Sequence, residues 1–207
     1  CVGLLAPVRV GPLNSLCTSY INCSVEIKAL STLICTSSNA CRVVESLPKD
    51  KKIVFAPDRH LGAWVQAQTG REMVLWPGFC IVHEQFRAKR LTALKAAHPG
   101  AKVIVHPECD ITISRQADFV GSTAALLNFV QESEAKCFII GTESGILHQM
   151  QKRRPDAELI PLPTDSGCNC SLCPYMRLNS MEKLYLCLRD LKPVLEMDDG
   201  AREGGHF

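Results

Sequence analysis

The chain has 207 residues, 46% of them hydrophobic and 21% charged, with a formal net charge of +2. That is enough apolar material for one large packed domain or two small ones, and the near-neutral balance excludes a surface built for nucleic acid or an anionic membrane. No apolar run reaches spanning length and no charged start leads into an apolar leader, so a cytoplasmic chain is expected.

The opening residues 1–15 are atypical: Gly3, Pro7, Gly11 and Pro12 break helical continuity, and the segment reads as a remnant. A strand then ends at Tyr20, and the chain passes through "SYINCSVEIKALSTLICTSSNA", a short helical stretch closing on hydroxyl residues. "KKIVFAP" reads as a strand, and Asp58 as the N-cap that opens the helix "HLGAWVQAQ", with Arg59 and His60 in its first turn. "EMVLWP" is the next strand, "PGFCIVH" carries Cys80 and His83, and "HEQFRAKRLTALKAA" has helical periodicity. The order then recurs: strand "AKVIVHP", polar turns in "VHPECDITISRQADFVGSTAAL", strand "KCFIIG" and strand "AELIPLP". A cysteine loop at 165–175, the helix "MEKLYLCLRD" and a polar, Gly-rich tail within 191–207, expected to be disordered, complete the chain.

Strands alternating with helices predict short parallel sheets in three-layer αβα modules, with ligands at the carboxyl ends of the strands. The two halves align. Tyr20 meets His106, Asn22 meets Glu108, Thr36 meets Ser122 and Ser37 meets Thr123 at an offset of 86. The offset is 85 for "VFAPDRHLGAW" against "IIGTESGILHQ", and stays 85 where Met73 meets Glu158. Two copies of a three-strand module are therefore expected, at 16–98 and 99–190, with Cys80 and Cys173 in equivalent places. The hydroxyl-rich turns have a second reading as helix caps, Ser24 and Ser38 in particular.

Twelve cysteines, scattered among strand-like and helix-like runs, point to a reduced compartment with some thiols serving a metal. Cys168, Cys170 and Cys173 on one loop can reach a common centre, for which zinc is the generic ion. A second arithmetic competes. Cys80 lies 26 positions before His106, and the same spacing before Tyr20 runs off the start of the chain. A further module in front would bring a third cysteine, and three cysteines can hold a [4Fe–4S] cluster with one iron open as a Lewis acid.

The motifs "SYINCSVEIKALS", "CTSSNA", "APDRHLGAWV", "WPGFCIVHE", "VHPEC", "DFVGSTAALL", "GILHQM" and "CPYM" resemble quinolinate synthase, in order, over most of residues 18–190. The resemblance implies three pseudo-threefold-related modules, of which the second and third are present. It implies condensation of iminoaspartate with dihydroxyacetone phosphate to quinolinate for NAD biosynthesis, and functional coupling to L-aspartate oxidase. Cys80 and Cys173 would be cluster ligands. Tyr20, Ile21, Asn22, Ser37, His106, Pro107, Glu108, Ser122 and Thr123 would bind substrate, and Tyr20, His106 and Glu108 would move protons. Cys1 is the in-chain alternative for the third ligand, although it stands 19 positions ahead of Tyr20. With the first module absent the chain is expected to be inactive on its own. A non-enzymatic zinc module and a degenerate fragment are the other readings.

Among the remaining residues, His83 either lines the site or orients its loop through a backbone bond. Cys168 and Cys170 are read as additional to the cluster ligands, with a redox-sensitive pair as one open role. Cys35, Cys41, Cys109, Cys137 and Cys187 are read as small apolar residues of strands and helices, and Trp64 and Trp76 as core or interface residues.

Overall fold

The computed structural model describes residues 15–164 and 171–194. The expectations for residues 1–14 (with Cys1), for Cys168 and Cys170, and for the tail beyond 194 lie outside the described residues.

The first half runs β1 (Ser15–Tyr20), α1 (Val25–Ala29), β2 (Leu33–Cys35), α2 (Ala40–Ser46), β3 (Lys52–Ala56), α3 (Arg59–Thr69) and β4 (Met73–Leu75). After a 3-10 turn at His83–Gln85 comes α4 (Ala88–Ala97), and the second half follows. It comprises β5 (Lys102–Val105), α5 (Ile111–Ser114), β6 (Phe119–Val120), α6 (Thr123–Glu132), β7 (Cys137–Gly141), α7 (Leu147–Arg153) and β8 (Glu158–Pro161). A last helix, α8 (Met181–Asp190), follows the cysteine segment.

Two four-stranded parallel sheets result, ordered β2-β1-β3-β4 and β6-β5-β7-β8. Each half thus has four strands, not three. The additions are the edge strands β2 and β6, three and two residues long. The shared topology makes the halves repeats of one unit, and the register shows where they slip. Ser19 pairs with Ala56 and Val105 with Gly141, reproducing the change from 86 to 85. Further on, Ile53 pairs with Met73 and Phe138 with Leu159, so Met73 corresponds to Leu159 and the offset returns to 86. The expected match of Met73 with Glu158 is one residue out, because the connection from α3 to β4 is one residue shorter than its counterpart.

Of the central strands, β3, β5 and β7 are nearly continuous apolar runs, as strands covered on both faces tend to be, whereas β1 buries Thr18 and Ser19. In the second sheet Val103, Val105 and Ile139 point to one face, where Leu91 of α4 and Ile113 of α5 join them. Ile104, Phe138 and Ile140 point to the other, against Leu126 and Val130 of α6 and Met150 of α7. The first sheet packs Ile53 and Phe55 against Val44 of α2 and Leu61 and Val65 of α3, with Trp64 at the edge of this core. Helix α3 stops at Gly70, whose φ of 66° is the left-handed turn that lets its N–H reach the Gln66 carbonyl at 2.9 Å.

Two helical expectations change. The run from His83 divides, because Phe86 is fully buried in extended backbone and α4 starts only at Ala88. Helix α8 forms but buries none of its residues: Met181, Leu184, Tyr185 and Leu188 are all exposed. Cys187 on that helix is exposed too, so it is not a packing residue. Cys35 and Cys109 are buried; Cys109 sits in a turn and donates its thiol to the Gly141 carbonyl at 3.3 Å.

Candidate functional site

Parallel strands deliver their carboxyl ends to one side of each sheet, and the chain turns that leave those ends build the site. Each half fastens its cysteine with the same clasp. In the first, Asp58 opens α3: Oδ1 accepts from the His60 and Leu61 backbone N–H groups at 2.7 and 2.9 Å, and Oδ2 from the Cys80 N–H at 2.6 Å. In the second, Glu143 Oε2 accepts from the Gly145 N–H at 2.7 Å and Oε1 from the Cys173 N–H at 3.3 Å. The backbone repeats the arrangement. Arg59 N–H donates to the Gly78 carbonyl and Ser144 N–H to the Ser171 carbonyl, each acceptor two residues before its cysteine. Cys80 and Cys173 are thus equivalent in position, the offset growing from 86 in the strands to 93 at the thiols.

Asp58 is therefore more than the helix cap expected of it. It lines a small, solvent-open pocket together with Tyr20, Asn22, Pro57, Cys80 and Glu108. Burial, and then the negative charge of Glu108, push its carboxyl up to about 6. An acid-for-acid match of Asp58 and Glu143 at the 85 offset was the signal in the sequence, and a capping role hid it.

Glu108 reaches this pocket from the end of β5, and two imidazoles flank it. His83 Nδ1 stands 3.0 Å from Glu108 Oε2, while His83 Nε2 and the Thr142 hydroxyl meet at 3.1 Å. His83 makes neither of its ring contacts to backbone, so it belongs to the site. Its ring stacks on that of His106, centroids 4.7 Å apart. Burial works against the charge of Glu108, but the hydrogen bond and positive charge of His83 outweigh it and hold the carboxyl below its ordinary range. For His83 burial also opposes charge, yet contacts with Cys80 and Glu108 carry its pKa up to about 9. His106 has no such compensation: burial, and then the positive neighbour His83, bring it down to about 3. A neutral His106 accepts from the Glu108 N–H through Nδ1 at 3.3 Å, which leaves an Nε2–H for the Ser37 hydroxyl at 3.1 Å.

The expected residues separate into groups. Tyr20, Asn22, Cys80 and Glu108 meet in the pocket, and Ser37 and His106 join through their mutual contact. Burial, and then the Glu108 charge, push the Tyr20 phenol up and keep it a hydrogen-bond donor. Ile21 is half-exposed and Pro107 buried, and neither lines the pocket. Ser122 caps α6 by accepting from the Ala125 N–H at 3.3 Å, and Thr123 is exposed at the helix start. Ser24 and Asn39 hold the N-cap positions of α1 and α2 without a side-chain cap bond, and Ser38 bonds Thr36 instead. Arg59 and His60 are occupied by Glu84, at 2.9 and 3.0 Å.

Cys80 and Cys173 are free, half-buried thiols. Their segments are tied: the Ser171 hydroxyl donates to the Thr142 carbonyl at 3.1 Å, and Thr142 meets His83. Two thiols on clamped backbone, each following the carboxyl end of a parallel sheet, are of the ligand type that iron–sulfur clusters take.

Comparison with known proteins bears on this geometry. The family described as "Quinolinate synthetase A protein" matches residues 12–206. The quinolinate synthase of Thermosynechococcus vestitus is 58% identical over 185 residues, covering 89% of this chain and 58% of that protein. That of Synechocystis sp. is 57% identical over 188 residues, covering 91% and 59%. That of Microcystis aeruginosa is 55% identical over 184 residues, covering 89% and 58%. This chain thus spans about three-fifths of the length of the curated relatives it matches. With that match along nearly its whole length, the chain belongs to the quinolinate synthase family.

Proposed function

We propose that these residues are the part of a quinolinate synthase site that condenses iminoaspartate with dihydroxyacetone phosphate, releasing phosphate and water, in NAD biosynthesis. The observation that carries this reading is the convergence of Tyr20, Asn22, Cys80 and Glu108 on one pocket, within a chain so similar to named quinolinate synthases. Cys80 and Cys173 would hold two corners of a [4Fe–4S] cluster. When bound, such a cluster supplies an open iron as a Lewis acid for a carboxylate or hydroxyl.

The chain's own groups have distinct tasks. The Tyr20 hydroxyl, kept protonated, and the Asn22 amide donate hydrogen bonds to carboxylate or phosphate oxygens. Glu108, kept ionised beside His83, accepts a proton from a substrate carbon or hydroxyl, and the His83 imidazolium carries charge that can return it. Neutral His106 holds Ser37 toward the same space. Ile21, Pro107, Ser122 and Thr123, which follow the ends of β1, β5 and β6, would contact substrate as well. Iminoaspartate hydrolyses readily in water, so supply by L-aspartate oxidase suits the reaction, and free thiols suit a reducing cytoplasm. No helix among the described residues is long and apolar enough to cross a membrane.

The test is anaerobic assay of quinolinate from the two substrates, with the reconstituted chain joined to the portion its relatives carry outside the matched region. Product that disappears in Glu108→Gln is expected. Equal product with and without the Glu108 carboxylate would refute the assignment.

A further inference from the structure

We propose that His98, Cys137 and Glu158 form a binding site for one divalent cation of the zinc class, at the amino ends of the second sheet's strands. A ring nitrogen of His98, the Cys137 thiol and a carboxylate oxygen of Glu158 all lie within 4.8 Å of one another. Imidazole, thiolate and carboxylate are ligand types that zinc takes, at about 2.0–2.3 Å each. One ion reaches all three after small side-chain rotations.

Three neighbouring segments present these ligands on fixed backbone. Cys137 and Glu158 open β7 and β8 and are partners in their register. His98 follows the last residue of α4 and precedes β5, which pairs with β7 from Lys102 onward. The His98 N–H donates to the Leu94 carbonyl at 2.9 Å, and its carbonyl accepts from the Ala101 N–H at 3.0 Å. That turn runs through Gly100 at a φ of 97°, a conformation glycine adopts without steric cost. The Glu158 N–H donates to the Lys136 carbonyl at 2.7 Å.

The first half supplies an independent observation. One position before the Ile53–Met73 pair, its register sets Lys52 opposite Glu72; one position before Phe138–Leu159, the second half sets Cys137 opposite Glu158. A lysine opposite a glutamate is a favourable cross-strand pair. In the second half a thiol replaces the lysine, and the carboxylate keeps no fixed cation. Among the described residues Glu158 makes no ion pair, and no hydrogen bond or ion pair occupies the His98 ring. Burial, and then Glu158, push the Cys137 thiol up. A bound cation relieves that conflict, since a coordinated thiol is deprotonated outright.

Glu158 is exposed and the other two residues are half-buried, so an ion has a path in and water can complete its coordination. Binding is a ligand exchange without electron transfer: the thiol proton leaves to water, and the imidazole coordinates in its neutral form. The ion would staple the starts of β7 and β8 to the end of α4.

This inference goes beyond the proposed synthase reading and shares no residue with it. The experiment is an anaerobic, sulfide-free titration with Co²⁺, read by the thiolate-to-cobalt charge-transfer band and followed by displacement with Zn²⁺. The other candidate metal thiols also attract cobalt, so the band is read in a chain carrying Cys80→Ser, Cys168→Ser, Cys170→Ser and Cys173→Ser. One ion per chain is expected there. Adding Cys137→Ser or Cys137→Ala should abolish the band. His98→Gln and Glu158→Gln should each weaken binding about tenfold or more, no less than the loss of an outer-shell partner. Excess Zn²⁺ should raise the thermal unfolding midpoint of the fourfold variant and leave that of its Cys137→Ser derivative unmoved, because the assembled site exists only in the folded chain. Circular dichroism separates loss of the site from loss of the fold. In the unmodified chain Cys137→Ser should remove one bound Zn²⁺ per chain, so the test does not depend on the fourfold variant folding. No thiolate band in a folded fourfold variant, a band that survives Cys137→Ser, or an unchanged zinc count in the unmodified chain would overturn the proposal. So would full affinity in His98→Gln or Glu158→Gln.

Discussion

Asp58 and Glu143 occupy equivalent places in the two halves, and each divides its carboxylate between a helix start and the N–H of a cysteine. Neither role alone accounts for both contacts, because a cap needs only one oxygen. The consequence is mechanical: the cysteines cannot shift without releasing the helices behind them.

Truncating the tighter clasp should be costly. Asp58→Ala removes the cap of α3 and orphans the Cys80 N–H, for a loss of about 2 kcal/mol or more. Asp58→Asn keeps one carbonyl acceptor and should lose less. Glu143→Ala, whose bond to Cys173 is longer at 3.3 Å, should cost about 1 kcal/mol. Urea denaturation of the three variants checks the order, and equal losses would contradict it.

His106 should stay neutral across the range where an ordinary histidine titrates, about pH 5 to 8, because its pKa is brought down to about 3. The sign for stability follows. In the unfolded chain the imidazole takes a proton at about pH 6.5, whereas in the folded chain it does not. Its contribution to stability is therefore present above that pH and is lost as pH falls toward 3. Ring-proton NMR checks it: a His106 resonance that moves between about pH 5 and 8 would contradict the prediction.

Gly70 has open space around the position of a missing Cβ, so its substitution isolates a backbone effect. Gly70→Ala should destabilise by about 1 kcal/mol, since φ is 66°, and Gly70→Asn by less. Thermal unfolding measures both, and an unchanged midpoint for alanine would refute the left-handed turn.

Two leucines on amphipathic helices should behave oppositely. Leu126 of α6 is fully buried, and Leu126→Ala should cost about 2–5 kcal/mol. Leu188 of α8 is exposed, and Leu188→Ala should fall within about 0.5 kcal/mol of the parent. A large loss at Leu188, seen in denaturant midpoints, would mean that α8 packs.

Much of this fold is legible in the sequence because β3, β5 and β7 are apolar runs between turn residues, and because the halves align. Edge strands β2 and β6 escape, since three and two residues carry no period to read. The start of α4 escapes because Phe86, an apolar residue in helical spacing, spends its burial on a loop. At the site, Tyr20, Asn22, Cys80 and Glu108 are found by motif. His83 is legible only as one of two readings and Asp58 is hidden by its capping role, while Thr142 depends on contacts between distant segments, which no local pattern encodes.

The central claim is that Cys80 and Cys173, one from each repeat, serve the same cluster. Anaerobic reconstitution with iron and sulfide, followed by measurement of both per chain and the visible absorption of the product, tests it directly. The parent chain should bind the two in equal amounts, and Cys80→Ser and Cys173→Ser should each abolish uptake while Cys137→Ser leaves it intact. Uptake that persists when either Cys80 or Cys173 is replaced would contradict the account.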